Sequence, residues 1–240
     1  MDKKTLGVIG GLGPMASAYF LELVTKMTDA ATDQEHIDVL LYSHPATPDR
    51  TAYILDKTKK SPVPAMTKAG QSLANAGAGC IAIPCMTAHC FHKELTENID
   101  APVIHALEEV ALYLRKRSIK KVGLLATAGT VKANVFQEIL DRYGVETIVP
   151  SEEEQAGIMT LIYDQIKAGK TADLKLLQAA SRQVREKGAE VVILGCTELS
   201  LLKGEYPMEA GVLDVLDVLA RASVLACGYP VKPEFSELIT

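Results

Sequence analysis

Short apolar runs alternate with stretches of helical spacing along the whole chain. Leu6 to Ile9 is apolar and ends in Gly10-Gly-Leu-Gly13-Pro14; Ala18, Leu21, Val24 and Met27 then recur at helical intervals between residues 15 and 30. Strand, glycine loop, helix is how a βαβ unit opens. Ile37 to Tyr42 predicts a second strand, and the loop from Ser43 to Arg50 is kept non-helical by Pro45 and Pro48. A helix follows over 64–76, then a buried strand running to Cys85, a helix through about Asn98, a short strand at Val103-Ile104 and a helix over 106–117.

The pattern then starts again. Lys121-Val-Gly123-Leu-Leu-Ala-Thr127-Ala-Gly129-Thr130 echoes the N-terminal strand and loop, with Gly123 over Gly7 and Gly129 over Gly13. Helices are expected over 135–143, 152–168 and 173–187, a strand over 145–149, and another strand ending at Cys196. This is a duplicated supersecondary half, not a short-period array. Alternating strands and helices imply an α/β fold of two similar, pseudo-symmetric three-layer α/β/α domains with largely parallel sheets. The tail, with Leu213, Leu216 and Leu219 periodic, reads as a helix returning to the first half. The expected domains are therefore 1–110 plus 208–240, and 111–207, facing one cleft.

Composition changes little in this picture. With 240 residues, 48% hydrophobic and 23% charged, the chain is an ordinary globular one. A net charge of -5 and basic runs no longer than Arg115-Lys116-Arg117 give no nucleic-acid or anionic-membrane surface. The N-terminal apolar run is too short and glycine-broken for a signal peptide, and residues 70–92 hold Gln71, Asn75, three glycines and Pro84, unlike a membrane span. Five cysteines in an acidic chain fit a reducing cytoplasm.

The cysteines carry the candidate chemistry. Gly77-Ala78 precedes Cys85 as Gly188-Ala189 precedes Cys196, so both pairs lie 111 positions apart. Each cysteine follows an apolar run and one Pro or Gly, at a strand-to-helix turn. Ligands bind at such carboxyl ends of strands in open α/β sheets, and helix-start amides favour a thiolate. Cys80, Cys90 and Cys227 read as small buried hydrophobes. Neither Cys85 nor Cys196 has a partner at metal-ligand spacing, and no metal or cofactor is expected. Two thiols on opposite sides of a ligand suit two-base proton transfer, in which one removes a proton from carbon and the other delivers one to the opposite face.

Four motifs in register then make the chain resemble the aspartate/glutamate racemase family. They are Gly10-Gly-Leu-Gly-Pro14, Ser43-x-Pro45-x-x-Pro48-Asp49-Arg50-Thr51, Pro84-Cys85-x-Thr87-Ala88-His89 and Gly195-Cys196-Thr197-Glu198, with Tyr163-x-x-x-Lys167 and the Asp214 region in order behind them. The resemblance implies a cofactor-independent amino-acid racemase without pyridoxal phosphate, commonly a homodimer, with one cysteine from each domain. It implies that Cys85 and Cys196 are the acid/base pair. The Gly11, Gly13 and Met15 loop would offer amides to a substrate carboxylate, and Arg50 and Lys167 would hold an acidic side chain. Thr87, Thr130 and Thr197 would donate hydroxyls, Glu198 would tune Cys196, and His89 would orient its turn. Met86 stands where the family usually has asparagine, which opens the substrate question: aspartate or glutamate, a broader range of amino acids, or another carboxylate. A two-lobed binder of acidic metabolites is the non-catalytic alternative.

Overall fold

In the computed structural model, which describes residues 2–240, seven strands and eleven α-helices alternate as the pattern requires. The first half runs β1 (Thr5–Gly10), α1 (Pro14–Met27), β2 (Val39–Ser43), α2 (Arg50–Leu55), α3 (Val63–Asn75), β3 (Ala78–Ala82), α4 (His92–Thr96) and α5 (Ala106–Lys116). The second runs β4 (Lys121–Leu125), α6 (Ala128–Lys132), α7 (Val135–Arg142), β5 (Glu146–Ile148), α8 (Glu152–Met159), α9 (Leu174–Glu186), β6 (Val191–Leu194), α10 (Thr197–Glu205), β7 (Val212–Asp214) and α11 (Val215–Ala226).

Every strand pairing is parallel, in two sheets of order β2-β1-β3 and β5-β4-β6-β7. A parallel bridge from Ile81 to Val103 supplies the first sheet's fourth position, so both sheets share one order. Strand residues alternate between two cores. Leu6, Val8, Cys80 and Ala82 share an inner cluster with Val122, Leu124, Val191 and Ile193, together with the apolar faces of α1, α5, α7 and α11. Ile9, Ile81 and Ile83 face outward onto α3; Leu125, Val192 and Leu194 face outward onto α9. The two α/β/α units thus share their middle helix layer in one continuous core.

Local chemistry sets the element ends. Pro14 starts α1 where its missing N–H goes unneeded, and the buried face Ala16, Phe20, Leu23, Val24 and Met27 keeps helical spacing. Side-chain caps begin later helices: Thr127 accepts from the Thr130 amide, Ser151 from Glu154 and Asp214 from Leu216. Gly7 and Gly123, matched in the repeat, both lie where an outer helix closes on the central strand. A Cβ on Gly123 would sit 2.3 Å from Val184 Cγ2, and one on Gly7 2.8 Å from the Ala78 Cβ.

One boundary differs from expectation. Residues 212–214 form β7, pairing with β6, so this segment of the tail extends the second sheet instead of belonging to the first unit. Its three residues are too few to show a period of two, and they merge in the sequence with the helix behind them. Only from Val215 does the chain cross to the first half, where α11 packs on α1 and α5.

Candidate active site

Cys85 and Cys196 occupy equivalent positions. Each is the extended residue that caps the helix after its strand, Cys85 before a 3₁₀ segment (Met86–Phe91) and Cys196 before α10. Both are 6% exposed, and both line one inner pocket of about 10 Å³, room for roughly a single water. This pocket shares Leu12, Asp49, Arg50, Lys167 and Glu198 with an outer cleft of about 410 Å³. The sulfurs therefore lie beneath an open cleft, one contributed by each half.

Their electrostatic surroundings differ. The Cys196 thiol donates to Glu198 Oε2 at 2.9 Å, and Glu198 Oε1 is 2.6 Å from Lys167 Nζ. Burial first, then the Glu198 carboxylate, push the Cys196 thiol well above its ordinary range, and Lys167 offsets only part of this. Cys85 instead neighbours Arg50. Burial pulls the Arg50 guanidinium down, but the Cys85 sulfur and then Asp49 outweigh that and raise it. Arg50 is 8% exposed and is braced from below: Nη2 donates to the Leu12 carbonyl at 2.7 Å and Nη1 to the Pro48 carbonyl at 3.3 Å. Its Nε is buried without a partner.

Lys167 reaches the pocket through a change of helix type. The expected single helix over 152–168 is α-helical to Met159 and then π-helical over Thr160–Ile166, with the Lys167 amide bonded to the Ile162 carbonyl. Such widened turns recur at functional sites. This one carries both Tyr163 and Lys167, which line the inner pocket. Burial raises the Tyr163 hydroxyl to about 12, leaving it a neutral donor, here bonded to Asp49 Oδ2 at 3.4 Å.

The threonines are arranged otherwise than expected. Thr87 and Thr130 bond each other at 2.9 Å, and Thr127 bonds Thr130 at 3.0 Å, Thr87 at 3.2 Å and Thr51 at 3.2 Å. Thr130 sits behind Thr87 and Thr127 and does not line the pocket, whereas Thr51 and Thr127 do. Thr51 and Thr127 were given no site role by the sequence reading, although Thr51 ends the proline-loop motif and Thr127 stands inside the repeated strand-loop motif. Two hydroxyls from each half thus knit the cleft floor. Thr197 is buried, lines the pocket and bonds Glu198 Oε2 at 3.4 Å.

The glycine loop is only partly available. The Gly11 amide is already bonded to Ser17 Oγ at 2.9 Å, so it cannot serve a ligand. Gly13 opens α1 without a side-chain cap, and Met15, 68% exposed, stands at the cleft mouth. A Cβ on Gly13 would lie 2.9 Å from Glu198 Oε1, just as one on Gly129 would lie 2.9 Å from Thr51; each glycine lets one half approach the other. Met86 lines the pocket but is buried in the inner core. His89 bonds the Ile83 carbonyl at 3.2 Å; burial, then His105 and His92, lower it to about 3, so it is neutral and steadies the Ile83-Pro84-Cys85 turn. Among the described residues no group of three or more His, Cys, Asp or Glu is placed to hold a metal ion.

Comparison with known proteins finds racemases of the same fold. RacX of Bacillus subtilis (strain 168), a broad specificity amino-acid racemase, is 25% identical over 225 residues, 91% of this chain and 96% of RacX. The Picrophilus torridus aspartate racemase structure superposes with a TM-score of 0.86 at 29% identity, covering 97% of this chain and 98% of that one. A glutamate racemase from Francisella tularensis, solved with D-glutamate, shares the fold at a TM-score of 0.67 and 14% identity, over 92% and 80% of the two chains. The Asp/Glu/Hydantoin racemase family model matches residues 9–223. The chain belongs to that family.

Proposed function

We propose that this protein racemises an amino acid without a cofactor, by proton transfer between Cys85 and Cys196 across the substrate Cα. The observation that carries this is the pair of cysteines at equivalent strand ends of a duplicated fold, lining one pocket. Inverting a stereocentre requires a group on each face, and two-fold duplication supplies both. A single-thiol reaction, or binding alone, leaves one cysteine without a task.

The asymmetry divides the roles of the pair. The positive Arg50 guanidinium stands beside Cys85, while burial and Glu198 hold Cys196 as the thiol. Cys85 removes the α-proton from one enantiomer, and Cys196 donates its own to the other face. The reverse reaction starts from the opposite protonation state, which Lys167 stabilises. Thr87, Thr127 and Thr197 and the uncapped start of α1 offer donors to the α-carboxylate. The inner pocket is too small for an amino acid as it stands, so it must widen toward the outer cleft to admit one.

For the side chain, Arg50 and Lys167 favour aspartate or glutamate, and the buried Arg50 Nε is the group left over to meet a carboxylate. A broader range is the second reading. Glu198 already neutralises Lys167, and Met86 gives the pocket an apolar wall. A panel of single enantiomers separates the two: acidic amino acids should lead in kcat/KM, and Arg50→Ala should remove that lead. Faster turnover of neutral or aromatic amino acids, unaffected by Arg50→Ala, refutes the acidic reading.

A further inference from the structure

Two cysteines have no part in this chemistry, yet they meet. Cys80 lies in the middle of β3, opposite Leu6 of β1, and Cys227 caps the C-terminal end of α11. They are 147 residues apart in sequence, 3% and 0% exposed, and their sulfurs are in contact at 2.8 Å. Neither lines the catalytic cleft. The segment before β1 closes over the same point, with the Lys4 amide donating to the Cys227 carbonyl at 2.9 Å.

We propose that Cys80 and Cys227 are a modification site, a dithiol that a low-molecular-weight disulfide converts into a bond tying the first sheet to the end of α11. A disulfide bond measures about 2.05 Å, so the sulfurs need approach by only about 0.8 Å. The step balances by ordinary exchange. One protein thiolate attacks the reagent's S–S bond, forms a mixed disulfide and releases one reagent thiolate. The second protein sulfur then attacks the mixed disulfide and expels the other, and the two protein protons end on the two released thiols. Cys80 is suited to attack first, because its bond with Cys227 lowers it and Lys4 adds to the effect, against the opposing pull of burial.

The consequence is structural. Cys80 belongs to the strand that leads into the Cys85 turn, and α11 is the helix that carries the tail from the second sheet back to the first half. A bond here closes a loop spanning most of the chain and both units. Crosslinks over long loops remove the most freedom from the unfolded chain.

The test is to reduce and unfold the full chain, then refold it in a buffer of oxidised and reduced glutathione, so that burial does not limit access. The expected product loses two of its five free thiols. Non-reducing peptide mapping should join the Cys80 and Cys227 peptides, and Tm should rise by roughly 4–16 °C over the reduced protein. Cys227→Ala should show no such rise on the same treatment. Recovery of Cys80 and Cys227 as alkylatable thiols overturns the proposal, as does a crosslink confined to Cys85, Cys90 or Cys196. Because the mapping uses the unsubstituted chain, a variant that fails to fold does not obscure the answer.

Discussion

Gly129→Ala tests how closely the halves must approach. A Cβ at residue 129 would lie 2.9 Å from the Thr51 Cα, Cγ2 and Oγ1, whereas ordinary contact begins at 3.4 Å. One of these atoms is backbone, so no rotamer change relieves the clash, and α6 and α2 must separate by about 0.5 Å. The Thr51–Thr127 bond, 3.2 Å in the structure, then lengthens to about 3.7 Å and is lost. Overpacking and the broken bond together cost about 1.5–4.5 kcal/mol, a fall in Tm of roughly 3–18 °C for a chain of this length. The cysteines sit on opposite sides of this junction, and misplacement on that scale costs about 10–100-fold in kcat/KM. Thermal unfolding and racemisation rates should be read together, with Gly157→Ala as the control. The Cβ there meets Leu176 Cδ2 at an ordinary 3.4 Å within α8, so that variant should be neutral or slightly more stable. Gly129→Ala with wild-type Tm and activity within about twofold of wild type would show that the approach does not position the site.

Other outcomes follow from the same geometry. Glu198→Gln removes the carboxylate that helps keep Cys196 protonated, so Cys196 alkylation, followed by mass spectrometry, should move to lower pH; an unmoved profile contradicts the pairing. The Asp214 carboxyl is raised to about 7 by burial and then by Asp217. Its proton is retained in the folded chain while the unfolded chain ionises, so stability falls as pH rises from about 4 to about 7, by at most about 4 kcal/mol. Asp214→Asn should flatten that part of the denaturation profile, and an unchanged slope rejects the assignment. Dialysis against a chelator should leave racemisation intact; loss restored by added metal contradicts a cofactor-free mechanism.

The duplicated frame was legible because buried parallel strands read as apolar runs and the glycine loops recur in register. Both candidate cysteines could be chosen for the same reason. The helix Arg50–Leu55 was not visible, since two prolines just before it masked a start set by Asp49 capping the Ala52 amide. The π-helical turn at Thr160–Ile166 was also hidden, because apolar spacing does not distinguish an i−5 ladder from a regular one over so few residues. Thr51 and Thr127 were missed as pocket residues for a further reason. Their role exists only across the two halves, and hydroxyl contacts 76 residues apart leave no periodic trace. Met86 was legible as a departure from the family pattern, but its burial in the shared core depends on packing that only the folded chain brings together.

The central claim is that one cysteine works on each face of the substrate. Single enantiomers of aspartate and of glutamate should be incubated in deuterated water and stopped early, and the deuterium at Cα measured separately in the residual substrate and in the product. Transfer between Cys85 and Cys196 predicts deuterium in the product enantiomer while recovered substrate stays protiated, because the donor thiol has already exchanged with solvent in the free enzyme, whereas the cysteine that takes the substrate proton exchanges only after the product leaves. Cys85→Ser and Cys196→Ser should each abolish racemisation. Early deuterium distributed equally between substrate and product, or full activity in either single-cysteine variant, contradicts the two-base account.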